Sequence, residues 1–223
     1  MNQKIKRLTV SAMMLALATT LALVCAYIPF LNLPFGGGFT VASMLPIVII
    51  AYMYGTKWGL FSAFCYSLIQ IVLSLTQGAS GTVMMLFMPN SDGFMGYSAA
   101  IWIVLIDYFI AYTALGLGGV FRNAIKNKTA AIVVGAIFSM SICYVAHIVS
   151  GYIFYGAWAE WFFTQEGFYK IGDVIMDSLD GTWLSFVYSV FYNGLYMIPE
   201  IIITAIVAVP ISYIPLIKKE DVK

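Results

Sequence analysis

The sequence predicts an all-α integral membrane protein with six transmembrane helices. Three observations lead there. The 223 residues are 62% hydrophobic and only 9% charged, whereas a water-soluble domain is about a quarter charged. The apolar residues fall into long runs, several of them near the roughly 20 helical residues that cross a hydrocarbon core about 30 Å thick. The basic residues concentrate in short segments between those runs. A chain with so little polar surface takes lipid as its main solvent, and in lipid a helix satisfies its backbone polar groups internally.

The first run covers about residues 8–28. Lys4, Lys6 and Arg7 precede it, as in a secretory signal. The run exceeds the length of a signal's apolar region and no small-x-small cleavage site follows, so a retained helix is expected. The second span, about 40–54, is short. The third covers about 58–75, the fourth about 99–121, the fifth about 130–155 and the sixth about 183–217. Pro199 lies inside the sixth and Pro210 and Pro215 near its end, which predicts a kink and an irregular terminus. The outer loops are 29–39, 76–98 and 156–182, and the whole of 1–223 forms a single membrane domain with no separate soluble domain.

Charge sets the orientation. With the N-terminus in the cytoplasm, the inner segments hold Lys4, Lys6, Arg7, Lys57, Arg122, Lys126, Lys128, Lys218, Lys219 and Lys223. That leaves Lys170 alone outside among the 11 basic residues. Basic residues favour the cytoplasmic side, so six spans with both termini cytoplasmic are expected, and an odd count would place the C-terminal lysines outside. The loop 29–39 is uncharged and contains Gly36-Gly37-Gly38, suited to close approach to a ligand, to a flexible lid, or equally to a plain turn. The loop 156–182 carries five carboxylates against Lys170. Its Trp158, Trp161, Phe162 and Phe168 suggest an amphipathic segment at the membrane interface.

Several functions are disfavoured. No basic stripe interleaved with aromatics is present, so nucleic acid is not an expected partner. The P-loop signature is absent. Cys25, Cys65 and Cys143 are scattered in apolar runs and read as small core residues rather than a disulfide framework or metal site. With one histidine, no metal triad and no nucleophile–base pair at helical spacing appears, so neither an enzyme nor a cofactor protein is expected.

Ionisable groups inside a span are costly and mark function by default. Those within the expected spans are Asp107, His147 and Glu200. Asp107, His147 and Asn193 each lie eight to ten residues in from the outer ends of the fourth, fifth and sixth spans. At 1.5 Å per residue this is one depth, roughly 12–15 Å below the outer surface. Three polar groups on three helices can therefore converge on one pocket, although Asp107 and His147 can also simply pair and hold helices together. Tyr108 follows Asp107. His147, Gly151 and Tyr155 are spaced to share one helical face. Tyr188, Tyr192 and Tyr196 accompany Asn193. A carboxylate, an imidazole, an amide and several phenols suit a flat, polar ligand, neutral or cationic, because aromatic faces stack on a flat ring and attract cations. Glu200 is expected to make a structural hydrogen bond near Pro199, with a coupling role as the other reading. On the first span, Ala12 and Ala16, with Ser11 and Ala18 nearby, make a small-residue face that permits close helix approach.

Five segments carry a family resemblance: ASMLPIVIIAYMYG (42–55), GLFSAFCYSLIQIVL (59–73), IDYFIAYTALGLGGVF (106–121), HIVSGYIFYGAW (147–158) and YSVFYNGLYMIPEIIITAI (188–206). The chain resembles the substrate-binding S components of energy-coupling factor (ECF) vitamin transporters, most closely the thiamine-specific ones. The resemblance implies six helices and cytoplasmic termini in the plasma membrane of a prokaryote. The implied partners are a transmembrane coupling subunit, docked on Ala12 and Ala16, and two cytoplasmic ATPases. No cofactor is implied; thiamine is the transported ligand. Asp107 would then sit near the thiazolium with Tyr108 beside it, and His147 would bond the ligand. Gly151 would leave room for the ring and Tyr155 would stack on it, while Tyr188 and Asn193 would read the aminopyrimidine edge. The chain departs from the family pattern in having Asp107 where Glu is usual, Tyr155 where Trp is usual, and Cys143 where a basic residue is usual. Its outer loops 76–98 and 156–182 are also longer. A precursor such as hydroxymethylpyrimidine, another flat vitamin, and a stand-alone secondary transporter are the alternatives.

Overall fold

The computed structural model describes residues 2–32, 38–76 and 82–220, the side chain of Tyr169 excepted. Gly36 and Gly37 of the first outer loop and Lys223 of the tail lie outside the described residues. Described here are α1 (Gln3–Ala26), α2 (Leu45–Tyr54), α3 (Thr56–Thr76), α4 (Thr82–Phe87) and α5 (Tyr97–Arg122), followed by α6 (Lys128–Phe154), α7 (Ala159–Phe163), α8 (Tyr169–Ser178) and α9 (Gly181–Ser212). No strand occurs among the described residues; an isolated antiparallel bridge joins Asn32 to Gly38.

Five of these helices, α1, α3, α5, α6 and α9, are long and apolar enough to cross a bilayer. The expected second span is different. Its helix starts at Leu45, not near residue 40, and has only 10 residues. At 1.5 Å per residue it is about 15 Å long, half a hydrocarbon core. LPIVIIAYMY is apolar on every side, the pattern of a helix enclosed by others, and all of its residues are buried. Gly55, at φ +91°, ends it by donating its N–H to the Ala51 carbonyl at 2.9 Å, and α3 begins at once. Such a left-handed C-terminal residue favours glycine. The main core forms around α2: Ile47, Ile50 and Met53 with Tyr66, Leu115, Ile132 and Met140.

The bundle's exterior is the reverse of a soluble protein's. Leu8 and Met13 on α1, Val145 on α6 and Ile206 on α9 are exposed, as in a surface that faces lipid. The sixth run continues as one helix through Pro199 and Pro210 and stops at Ser212, short of the expected 217. Two of the outer loops contain helices among the described residues. Loop 76–98 contains α4, and loop 156–182 contains α7 and α8. Phe162 and Phe168 do not lie flat on a membrane surface. They pack with Tyr188 in a cluster on α9, while Trp158 and Trp161 stay exposed.

The two ends of the chain meet. Lys6 Nζ bonds Glu220 Oε1 at 2.5 Å, and Glu220 N–H donates to the Met53 carbonyl at 2.8 Å. Arg122 Nη2 donates to the carbonyls of Met53 (3.3 Å) and Glu220 (3.2 Å). The Arg7 guanidinium stands 4.0 Å over the Trp58 ring. Segments expected on one side of the membrane therefore assemble at one end of the bundle. Small residues let the helices close there. A Cβ on Gly116 would meet Leu60 N at 2.3 Å, one on Gly119 the Ala51 carbonyl at 2.3 Å, and one on Gly135 the Gly118 carbonyl at 2.1 Å.

Candidate ligand-binding site

The opposite end of the bundle holds a cavity of about 550 Å³, within the usual size range of small-molecule sites. One polar wall of it is built on α5 and α6. Around Val104–Ile110, α5 widens into a π-helical turn, with α-helical Tyr97–Ile103 before it and a tight 3₁₀ stretch, Ala114–Arg122, after Ala111–Thr113. Such turns recur at functional sites. Here the turn carries Asp107 and Tyr108, and both of these consecutive residues border the cavity. Asp107 Oδ1 accepts from His147 Nδ1 at 2.9 Å, and Oδ2 accepts from Ser150 Oγ at 2.7 Å. The Tyr108 hydroxyl donates to Ser74 Oγ at 3.1 Å, and Ser74 Oγ also accepts the Val83 N–H at 2.9 Å. One hydroxyl thus ties α3, α4 and the π turn together.

Helix α9 supplies the facing wall. Asn193 Nδ2 donates to the carbonyls of Ser189 (2.8 Å) and His147 (3.3 Å), and the Tyr196 hydroxyl donates to Asn193 Oδ1 at 2.5 Å. Both amide N–H groups are thereby committed within the protein, and what Asn193 has left is acceptor capacity on Oδ1. Gly151 explains how α6 and α9 come so close. A Cβ there would stand 2.2 Å from Ser189 Oγ and 3.1 Å from Asn193 Nδ2. The missing side chain is used first for helix contact, and Gly151 also borders the cavity.

The residues singled out in the sequence come together. Asp107, Tyr108, His147, Gly151, Tyr155, Tyr188 and Asn193 all border this one cavity. Asp107 and His147 do pair, and the pair is itself part of the cavity wall. Other lining residues were not anticipated: Tyr66 and Gln70 on α3, Tyr112 on α5, Thr40 and Ser43 before α2, and Asp92. Three of these, Tyr66, Gln70 and Tyr112, had a sequence signal, since Tyr66–Gln70 and Tyr108–Tyr112 share helical faces by four-residue spacing. Nothing local marked Thr40 or Ser43. Glu200, 2% exposed, accepts from Thr40 N and Oγ1 and also borders the cavity. Its structural hydrogen bond is present, but to the α1–α2 connection rather than at the Pro199 break.

Among the described residues no lysine or arginine lines the cavity, whereas Asp92, Asp107 and Glu200 do, with seven tyrosines and two tryptophans. Tyr112 and Tyr196 present their rings edge-on to the His147 imidazole at 6.4 and 6.0 Å. With His147 its one basic side chain among the described lining residues, paired to Asp107, an enclosure of carboxylates and phenols can hold a flat organic cation through ring faces and counter-charge.

Comparison with known proteins agrees with this chemistry. Residues 9–161 match the family model described as Thiamine transporter protein (Thia_YuaJ). The chain belongs to the thiamine transporter family. A relative, Thiamine transporter ThiT of Bacillus subtilis (strain 168), is 30% identical over 218 residues, covering 93% of this chain and 91% of the relative. In this thiamine transporter family member, the matched residues hold Asp107, Tyr108, His147, Gly151 and Tyr155, while Tyr188 and Asn193 lie beyond residue 161.

On α1 the expected small-residue face divides in two. Ala12 and Ala16 are exposed, but Ser11 and Ala18 are buried against the bundle, and Ser11 Oγ accepts from Trp58 Nε1 at 2.8 Å. Residues seven apart stay on one helical side, so Ser11 and Ala18 face inward together while the pair four apart, Ala12 and Ala16, faces out.

Proposed function

We propose that this protein is the substrate-binding membrane subunit of an ECF-type transporter and captures thiamine from outside the cell for ATP-driven uptake. The observation that carries the ligand is the cavity of a thiamine transporter family member, in which Asp107 sits among tyrosines and no lysine or arginine lines the described wall. The thiazolium cation takes the Asp107 end, beside Tyr108 and His147. Tyr155 stacks on the ring, and Tyr188 with Asn193 Oδ1 meets the aminopyrimidine edge. The termini and basic segments, gathered at the end of the bundle away from the cavity, are the cytoplasmic end. With α2 counted as a sixth, half-length pass, the cavity opens outward. Ala12 and Ala16, exposed on α1, dock the coupling subunit, which brings two cytoplasmic ATPases. The chain itself catalyses no reaction and works in the plasma membrane of a prokaryote.

The test is a titration of the detergent-purified protein with thiamine, followed by tryptophan fluorescence. Saturable binding that weakens strongly in Asp107→Ala supports the ligand assignment. Absence of binding, with hydroxymethylpyrimidine saturating in the same cell, would move the assignment to the precursor; Asp107 in place of the usual glutamate and Tyr155 in place of tryptophan make that the right comparison. Uptake by cells lacking the coupling subunit and ATPases would sink the energy-coupling part and favour a stand-alone carrier.

A further inference from the structure

We propose that Glu200 is a positioning residue of the cavity: it holds Thr40 by two hydrogen bonds and so keeps residues 40–44 in place, from which Thr40, Ser43 and Met44 line the cavity. The inference rests on the ligand reading above for its effect on affinity, and on geometry alone for the clamp.

The observations converge on a short stretch. Glu200 Oε2 accepts the Thr40 N–H at 2.5 Å and Oε1 accepts the Thr40 hydroxyl at 2.8 Å. Thr40 Oγ1 and Ser43 Oγ are 2.5 Å apart. Thr40, Ser43, Met44 and Glu200 all border the cavity. Between Thr40 and Ser43 the chain passes through Ala42 at φ +56°, a left-handed conformation that a residue with a Cβ adopts only when its surroundings impose it. The Val41 N–H points at Cys25 Sγ on α1, at 3.4 Å. At its far end the stretch runs straight into α2, whose buried residues cannot shift without opening the core. The strained turn is thus pinned at one end by α2 and at the other by Glu200.

The chemistry explains why a carboxylate stands there. Thr40 presents two donors, and a carboxylate offers two acceptor oxygens, one for each. An amide would turn an N–H toward one of those donors. Among the described residues Glu200 has no ion-pair partner. An acidic group buried 2% exposed within a span, without a cation beside it, is retained for function by default. Asp107 differs, since its oxygens serve a side-chain network on α6. Glu200 instead connects α9 to the segment leading from α1 into α2.

The experiment compares the full-length wild type with Thr40→Ser, Thr40→Val, Glu200→Gln and the Thr40→Val/Glu200→Gln double variant, all in detergent. Thiamine affinity is measured by titration, and amide exchange is followed over residues 38–44 and over α6. Thr40→Ser keeps both donors and should bind as wild type does. Thr40→Val and Glu200→Gln should each weaken binding by about tenfold or more, as expected for losing a hydrogen bond to a charged group. The double variant should bind no worse than the weaker single one, because both changes break the same link. Exchange over 38–44 should accelerate in Glu200→Gln while α6 is unchanged. Unaltered affinity in Thr40→Val, or fully additive losses, would overturn the clamp. If Glu200→Gln does not fold, the contrast between Thr40→Ser and Thr40→Val still decides. If the wild type does not bind thiamine, the ligand reading fails on its own, and exchange over 38–44 that is the same in Glu200→Gln as in wild type would separately overturn the clamp.

Discussion

Asp107 accepts two hydrogen bonds from α6, and those bonds set what its replacement does. Asp107→Ala leaves His147 Nδ1 and Ser150 Oγ without their acceptor and removes the counter-charge. Truncating one member of a hydrogen-bonded charge pair costs about 2–5 kcal/mol, so thiamine affinity should fall by about thirtyfold or more in the fluorescence titration. Asp107→Asn, which keeps one acceptor, should lose less. The fluorescence signal itself has an expected source. Trp158 and Trp161 border the cavity, whereas Trp58 stacks under Arg7 at the far end and Trp102 is exposed on α5. Quenching by ligand should largely vanish in Trp158→Phe/Trp161→Phe and persist in Trp102→Phe; the opposite pattern would mean that the ligand sits elsewhere. At this scale much was legible. Asp107, His147 and Asn193 stood out because an ionisable or amide group inside an apolar run needs a reason, and helical rise put them at one depth. Thr40 and Ser43 did not stand out, because a threonine and a serine before a helix look like any turn.

At the scale of elements, packing separates two kinds of glycine. Gly135 lies against the Gly118 carbonyl, where a Cβ would stand at 2.1 Å, and the clash is with backbone that no rotamer can relieve. Overpacking of this kind costs about 1–3 kcal/mol. Gly135→Ala should lower the thermal midpoint of the purified protein by several degrees. Gly167→Ala, at a site with nothing within 4 Å of the new Cβ, should leave it unchanged, and equal midpoints would refute the close approach. The expected spans over 58–75, 99–121 and 130–155 match α3, α5 and α6 within two residues at each end, because long apolar runs bounded by polar residues leave little freedom. The second span did not match. A run that is apolar on all sides looks the same whether it faces lipid or neighbouring helices, and only the arrangement of α3, α5 and α6 around it shows that α2 faces helices. The π turn at Val104–Ile110 was equally invisible, since IDYFIAY contains neither proline nor glycine to announce it.

For the whole molecule, charge and contact agree. Lys6 meets Glu220, and Arg122 bonds the Met53 and Glu220 carbonyls, so the segments rich in lysine and arginine form one end and the cavity opens at the other. Under the proposed topology, a green fluorescent protein fused to the C-terminus should fluoresce in bacterial cells. Alkaline phosphatase inserted between α8 and α9 should be active, because that enzyme needs the outer compartment. A dark fluorescent fusion, or an inactive phosphatase, would invert the orientation.

The sequence by itself determined the solvent, the helical class, the end of the bundle where the basic residues gather, and the polar residues that share a depth. Each follows from composition or from the fixed rise of a helix, and neither depends on which helix packs against which. Only the tertiary structure decided that α2 is enclosed, that α5 widens at Asp107, that Gly151 serves helix contact as well as the cavity, and that Glu200 reaches across 160 residues to hold Thr40. Those are contacts between segments distant in the chain, and local pattern carries no record of the partner a side chain will meet.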